Sequence, residues 1–119
     1  ALSADDAQRL RDLGTPAGEA AARFVLQRID GYQHTQPVPG RPGVAPIHDA
    51  LAVLAIVDPT IITTVHIPVD VEVVSPISFG RTVCDFRERP DSPPNVHFAV
   101  DADEPKFVRM LMDILGRTA

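Results

Sequence analysis

Cysteine and lysine are almost absent from this sequence, and each absence excludes a class of protein. The single Cys84 cannot form an internal disulfide, and it rules out a zinc site built from several cysteines. A cysteine content this low fits a reducing compartment, so we expect a cytoplasmic location. Lys106 is the only lysine and the formal net charge is -5, so no positive cluster is available to bind nucleic acid or an anionic membrane.

Long apolar runs and several catalytic motifs are also missing. No run approaches the roughly 20 apolar residues that cross a bilayer, and residues 1–3 lack the basic start of a signal peptide. The sequence contains no internal repeat, glycine-rich phosphate-binding loop or Gly-x-Ser-x-Gly nucleophile motif. We therefore expect a soluble, unprocessed chain whose residues 1–119 form a single unit.

The first part of the sequence predicts two helices. Ser3 with Asp6 three residues later has the pattern of a capping box, and Gly14 ends the apolar stripe that follows. Thr15 and the proline after it then supply an N-cap and a first helical residue. Apolar residues at helical spacing predict a second helix over about residues 16–32.

Prolines and glycines dominate residues 36–46. Their density argues against a helix or a central strand and predicts an extended loop. Two interpretations stay open for this loop. It is a plain linker between helices, or it is a lid, because long irregular loops often carry binding elements.

The loop leads into the segment Ala45-Pro46-Ile47-His48-Asp49, directly ahead of the apolar run 50–57. The run predicts a buried helix and places the imidazole and the carboxylate at its N-terminal mouth. Backbone N–H groups are free there and the helix dipole is positive, so the position suits a ligand or a proton donor. In the alternative, structural interpretation, Asp49 only caps the helix and His48 is a loop residue.

The second half of the sequence alternates apolar and polar residues, which is typical of strands. Residues 65–73 predict a strand with one buried face, and Pro68 places it at an edge or a bulge. A turn over residues 75–80 leads to a second strand near residues 81–87, and a third is predicted over residues 96–100. A polar loop over residues 88–95 separates the last two strands.

A final amphipathic helix is predicted from the cap Asp103 to the stop signal Gly116. The predicted fold class of the isolated chain is therefore α+β, with helices first, then a small, largely antiparallel sheet, then a closing helix. His66 and His97 are predicted on the polar, solvated faces of strands, and His34 in a loop.

Several ordered blocks carry a family resemblance. They are the run Ser-Ala-Asp-Asp-Ala-Gln-Arg-Leu-Arg-Asp-Leu-Gly from Ser3, Ala45–Val53 with Asp58-Pro59, Val69–Glu72, Gly80–Asp85, Asn95–Asp101 and the final helix. Over essentially the whole chain they resemble the C-terminal part of an inosine-uridine preferring nucleoside hydrolase. The resemblance implies a portion of a Rossmann-like open α/β fold. It also implies a calcium-dependent enzyme that cleaves the N-glycosidic bond of a ribonucleoside substrate to free base and ribose.

The same resemblance implies roles for three residues. Asp49 matches an aspartate that contacts the calcium ion and the ribose hydroxyls, and His48 matches a histidine proposed to assist departure of the base. Tyr32 matches an aromatic residue that contacts the nucleobase; in the alternative, it ends the apolar stripe of the second helix. Proton donation and fixed oxygen ligands suit a reaction in which the base gains negative charge.

The sequence departs from the family by omission. The signature Asp-x-Asp-Pro-Gly-x-Asp-Asp, which supplies most calcium ligands and the carboxylate that deprotonates water, is not in these 119 residues. One carboxylate and one imidazole cannot hold calcium, which takes about six to eight oxygen ligands. We therefore expect a segment that is inactive alone, depends on a missing N-terminal portion or a complementary chain, exposes apolar surface and assembles as a homo-oligomer.

Two other functions stay open. The chain is a non-catalytic binding or assembly module derived from the same family, or it is a metal-dependent phosphohydrolase built on the His-Asp dipeptide. The second of these needs further histidines and aspartates on several helices. The other three histidines are predicted in a loop and on strands, which disfavours it.

Overall fold

The computed structural model describes residues 1–87 and 91–117. Its helices are α1 (Ala4–Asp12), α2 (Pro16–Thr35), α3 (His48–Val57) and α4 (Glu104–Leu115). Its strands are β1 (Leu2–Ser3), β2 (Val44–Ala45), β3 (Ile62–Ile67), β4 (Val69–Val71), β5 (Thr82–Cys84) and β6 (Val96–Ala102). The α+β class is confirmed. None of the helices in the described residues combines the length and apolarity that crossing a bilayer requires.

The chain divides into two compact units by its internal contacts. One unit contains residues 1–61 and 103–119, and the other contains residues 62–102. The first unit holds all four helices with β1 and β2, and the second holds β3 to β6. The expectation that residues 1–119 form one unit of a larger domain stays a prediction.

Capping hydrogen bonds confirm three of the predicted helix starts in the first unit, those of α1, α2 and α4. The Ser3 hydroxyl accepts a hydrogen bond from the Asp6 backbone N–H at 3.2 Å, and the Asp6 carboxylate accepts one from the Ser3 N–H at 3.0 Å. Asp103 likewise accepts from the Lys106 N–H at 2.9 Å. These side chains satisfy donors that the first turn of a helix leaves unpaired.

Thr15 connects the start of α2 to the end of α4. Its buried hydroxyl accepts a hydrogen bond from the Gly18 N–H at 3.0 Å and donates one to the Leu115 carbonyl at 2.6 Å. A side chain at Gly18 would collide with the Leu10 carbonyl of α1, so the close approach of α1 and α2 requires glycine. The core of this unit lies around the joint and contains Leu2, Ala7, Leu10, Ala22, Val25, Ile29, Ala45, Leu54, Ile61 and Phe107.

Helix α2 is longer than predicted and ends at Thr35, so His34 lies on its last turn and not in a loop. The helix stops before Pro37, because a residue that precedes proline disfavours helical backbone angles. The loop that follows α2 is fixed by two interactions, a strand pairing and an ion pair. Residues 44–45, expected to be irregular, form the edge strand β2 and pair with β1.

The second interaction that fixes this loop is the ion pair of the Arg41 side chain with Glu104. Its guanidinium donates two hydrogen bonds to the Glu104 carboxylate, at 2.9 and 2.8 Å. Arg41 is the main reason that the pKa of Glu104 is lowered from 4.5 to about 2. The linker and lid interpretations of this loop both stay open.

Helix α3 corrects the prediction of a buried helix. Leu54 is buried, but Val53, Ile56 and Val57 are 60%, 83% and 64% exposed. The apolar run predicted burial on every side, whereas the described residues cover only one side of it. The exposed apolar surface that we expected of a partial domain is therefore present on this helix.

In the second unit, the strand predicted over residues 65–73 is two strands. Proline has no backbone N–H to donate to a ladder, so pairing breaks at Pro68. β3 pairs with β6 in antiparallel register, with an irregularity between Thr63 and Thr64, while β4 pairs with β5. The expected buried face also fails beyond Val69, since Val71 and Val73 are exposed. Of the predicted loop over residues 88–95, residues 88–90 lie outside the described part of the chain.

An ion pair fixes the C-terminal end of α3. The Asp58 carboxylate accepts hydrogen bonds from the Thr60 N–H at 3.0 Å and the Thr60 hydroxyl at 2.7 Å, and its other oxygen lies 2.6 Å from the Lys106 ammonium. Lys106, the only lysine, is the main reason that the pKa of Asp58 is lowered from 3.8 to about 2. The pair thus connects the end of α3 to the first turn of α4.

Replacing Asp58 with asparagine should weaken the loss of stability in acid. Because the folded pKa is below the ordinary value of 3.8, Asp58 contributes stability that is complete above that value and is lost as the pH falls toward about 2. Asp58→Asn should therefore lose less stability than the parent chain between about pH 4 and pH 2. Urea unfolding at a series of pH values measures the difference.

The matched control is Asp12→Asn, an exposed position of α1 whose carboxylate is bound by the neutral amide of Gln8 at 2.9 Å. This variant should leave the ion pair of Asp58 and Lys106 in place, and with it the pH dependence that this pair causes. If the free energy of unfolding falls equally between pH 4 and pH 2 in Asp58→Asn and in the parent chain, the assigned role of the ion pair is contradicted.

Candidate functional site

His48 and Asp49 lie inside the first turn of α3. The helix begins at His48, two residues earlier than the predicted run, and Ile47 is its N-cap residue. The Ile47 carbonyl accepts the first helical hydrogen bond, from the Leu51 N–H at 3.3 Å. No side chain caps this end of the helix within the described residues, so the interpretation of Asp49 as a cap is wrong.

Both side chains border a cavity of about 580 Å³ in the first unit. Most of its apolar wall comes from α2 and α4, and Arg28, His48 and Asp49 supply its charged or titratable groups. The complete lining is Leu2, Ala21, Phe24, Val25, Arg28, Pro46, Ile47, His48, Asp49, Ala50, Leu111 and Leu115. Apolar walls with a few convergent polar groups, in a volume of this size, are typical of small-molecule sites.

Within the described part of the chain, the polar groups of the cavity have no charged partners. Among residues 1–87 and 91–117, neither His48 nor Asp49 makes a side-chain hydrogen bond or ion pair, and both are exposed. Arg28 has no carboxylate partner in the same residues. A carboxylate, an imidazole and a guanidinium thus remain available to a ligand.

Tyr32 lies beside this cavity and not in its lining. The Arg28 guanidinium is 4.9 Å from the centre of the Tyr32 ring, the geometry of a cation–π contact. Tyr32 is half-buried at the end of the helical stripe, as the structural alternative requires, and its neighbour Arg28 lines the cavity. Its assignment to the nucleobase stays a prediction.

Phe24 and Arg28 are cavity residues that the sequence did not single out. They are four residues apart on α2, so they share one face of the helix, at the flank of the apolar stripe of Ala21, Val25 and Ile29. The spacing could have shown that they lie together. It could not show that this flank faces the first turn of α3.

The residues that the structure describes do not by themselves fit a calcium ion. Within the described residues, no three side chains of the types His, Cys, Asp or Glu are grouped to hold a metal. Asp49 supplies the only carboxylate among the cavity residues, whereas calcium takes about six to eight oxygen ligands. Any such site needs ligands from outside these residues.

Comparison with known proteins assigns the chain to a family. The profile described as inosine-uridine preferring nucleoside hydrolase matches residues 1–109. The chain belongs to this family. Its resemblance over the ordered blocks of the sequence is thereby confirmed.

Relatives of the nucleoside hydrolase family match nearly the whole chain. The inosine-uridine preferring nucleoside hydrolase of Crithidia fasciculata is 33% identical over 110 residues, which are 92% of this chain and 34% of that protein. A pyrimidine-specific ribonucleoside hydrolase of Shigella boydii is 32% identical over 111 residues, 93% of this chain and 35% of that protein.

A solved structure has the same fold as this nucleoside hydrolase segment. The purine-preferring ribonucleoside hydrolase from Gardnerella vaginalis matches with a TM-score of 0.76 and 34% identity, over 97% of this chain and 35% of that one. The chain therefore spans about a third of the length of the relatives it matches.

The free energy of unfolding should distinguish a ligand-binding Asp49 from a structural one. Asp49→Asn and His48→Ala should each change it by less than about 1 kcal/mol, because both side chains are exposed and only the helix dipole acts on the carboxylate. Leu54→Ala on the same helix removes a buried side chain and should cost about 2–5 kcal/mol. Urea denaturation at neutral pH measures all three variants. A loss for Asp49→Asn as large as that for Leu54→Ala would restore the structural interpretation.

Proposed function

We propose that this segment contributes His48 and Asp49 to the active site of a ribonucleoside hydrolase. The observation that carries the proposal is the pair of unpartnered side chains on the first turn of α3, facing a cavity of about 580 Å³ in a chain of this family. The reaction cleaves the N-glycosidic bond and releases the free base and ribose. The cavity walls supply the apolar environment that a nucleobase requires.

His48 is the proposed proton donor. As the glycosidic bond breaks, negative charge develops on the departing base, and a proton from the imidazole stabilises that charge. Histidine suits this role because imidazole exchanges protons at physiological pH. With no partner among the described residues, the ring is free to turn toward the base.

Asp49 is the proposed ligand of the ribose hydroxyls and of a calcium ion. Its carboxylate oxygens can accept hydrogen bonds from two sugar hydroxyls and offer one of the several oxygen ligands that calcium needs. Calcium, when bound, would supply a fixed positive charge beside the sugar. The other ligands must come from residues outside this segment.

Phe24, Arg28 and Tyr32 form the proposed base-recognition side of the site. Phe24 offers an apolar ring at the cavity wall, and the Arg28 guanidinium can donate hydrogen bonds to base or sugar oxygens. Tyr32 sets the position of Arg28 through their contact and reaches the base only if the side chains rearrange.

The isolated segment is proposed to be inactive. The chain lacks the acidic signature that would bind calcium and activate water, and α3 exposes an apolar face that a further part of the enzyme would cover. We further propose a cytoplasmic homo-oligomer, in keeping with the single cysteine and the exposed apolar surface.

The exposed face of α3 also favours a second candidate function. Val53, Ile56 and Val57 form an apolar surface that suits a binding or assembly module without catalytic activity. This candidate uses the same helix but needs neither His48 nor Asp49. The two functions therefore make different predictions for the cavity.

A mixing experiment separates these two functions. The chain is assayed for release of base from inosine and uridine with calcium, first alone and then with an N-terminal segment that carries Asp-x-Asp-Pro-Gly-x-Asp-Asp. We expect activity only in the mixture, because only the mixture holds a complete ligand set. Calorimetry of calcium and nucleoside binding accompanies each assay. Binding of the two segments to each other without any hydrolysis would support the assembly module instead.

Replacing His48 should affect turnover more than substrate binding. In the active assembly, His48→Ala should lower kcat by about 100-fold or more, the usual contribution of a positioned proton donor, and leave KM nearly unchanged. His34→Ala, which removes an exposed histidine on the last turn of α2, is the matched control and should retain full turnover. An increase in KM alone would show that His48 binds the nucleoside without donating a proton.

A further inference from the structure

Two histidines of the second unit are neighbours on adjacent strands. His66 of β3 and His97 of β6 are direct partners in the antiparallel register. Their imidazole rings are stacked, with ring centres 4.4 Å apart and planes within 9° of parallel. The sequence predicted each one as a separate solvated residue, and both are indeed exposed, but the register places them side by side.

The ring nitrogens of this pair are free to bind a ligand. Among residues 1–87 and 91–117, neither imidazole makes a hydrogen bond or an ion pair. Neutral imidazole nitrogen is a preferred ligand of zinc, copper and nickel ions. Because directly opposed residues of two strands keep their Cβ atoms about 4.5–5.5 Å apart, the backbone already holds both rings close together.

We propose that His66 and His97 form a two-histidine binding site for a divalent transition-metal ion, with water completing the coordination. In tetrahedral geometry, Zn–N bonds of about 2.0 Å place two ligand nitrogens about 3.3 Å apart. The ring centres of the stacked imidazoles are 4.4 Å apart and the rings are nearly parallel. Both exposed side chains therefore have to rotate until one nitrogen lone pair of each ring points at the ion. The bound ion connects β3 to β6.

This site differs from the proposed hydrolase site in place and in chemistry. Both histidines belong to the unit of residues 62–102, whereas the cavity residues belong to the other unit. Its ligands are nitrogens, which suit zinc, copper or nickel and not the hard calcium ion. It does not depend on the proposed nucleoside hydrolase activity.

Zinc titration of the chain at neutral pH tests the site. Isothermal calorimetry should detect one zinc ion whose binding requires both histidines. His66→Ala and His97→Ala should each lower zinc affinity by more than about tenfold, since the second imidazole of a pair binds the shared ion at high effective concentration. His34→Ala, which removes an exposed histidine from α2, should change the affinity by less than about twofold.

Two measurements on the parent chain keep the test independent of the folding of the variants. Zinc should shift the imidazole NMR signals of His66 and His97 together, at lower concentration than those of His34. It should also raise the thermal unfolding midpoint, because an ion that binds only the folded chain stabilises it. Zinc-induced shifts confined to His34 or His48, or an equal loss of affinity in His34→Ala and His66→Ala, would overturn the proposal.

Discussion

The cavity beside His48 lies between two helices, α2 and α4, that the Thr15 side chain joins by hydrogen bonds. Its hydroxyl uses both its acceptor and its donor capacity, toward the start of α2 and the last carbonyl of α4. Since the group is buried, losing either partner would leave a polar atom without water or protein to bind it. The two hydrogen bonds connect α2 to α4, and these two helices provide most of the apolar wall of the cavity that the first turn of α3 borders.

The features that could be predicted from the sequence depend on interactions between residues a few positions apart. Ser3, Thr15 and Asp103 cap their helices through bonds that span three positions, so the local pattern is sufficient to identify them. The division into two strands after α3 could not be predicted from such a local pattern. Alternating apolar residues extend across Pro68 without interruption, and only the three-dimensional pairing shows that the two sides of this proline have different partners.

The candidate site could be predicted in part, for a related reason. His48 and Asp49 stand directly ahead of an apolar run, so one segment of sequence shows their position at a helix start. Phe24 and Arg28 reach the same cavity from another helix, and their inclusion depends on tertiary packing that no local pattern encodes. The apolar run also could not reveal that much of α3 is uncovered, since hydrophobicity indicates a preference for burial and not the presence of a cover.

The place of Asp49 in the first turn of α3 has a consequence for the ions it can bind. Aligned peptide dipoles give this end of a helix the effect of about half a positive charge. The helix therefore repels any cation that approaches the Asp49 carboxylate. One aspartate here makes a weak cation site, and a divalent ion stays bound only where additional carboxylates outweigh the field of the helix. The same field attracts electron-rich groups, such as sugar oxygens or a base that is gaining negative charge.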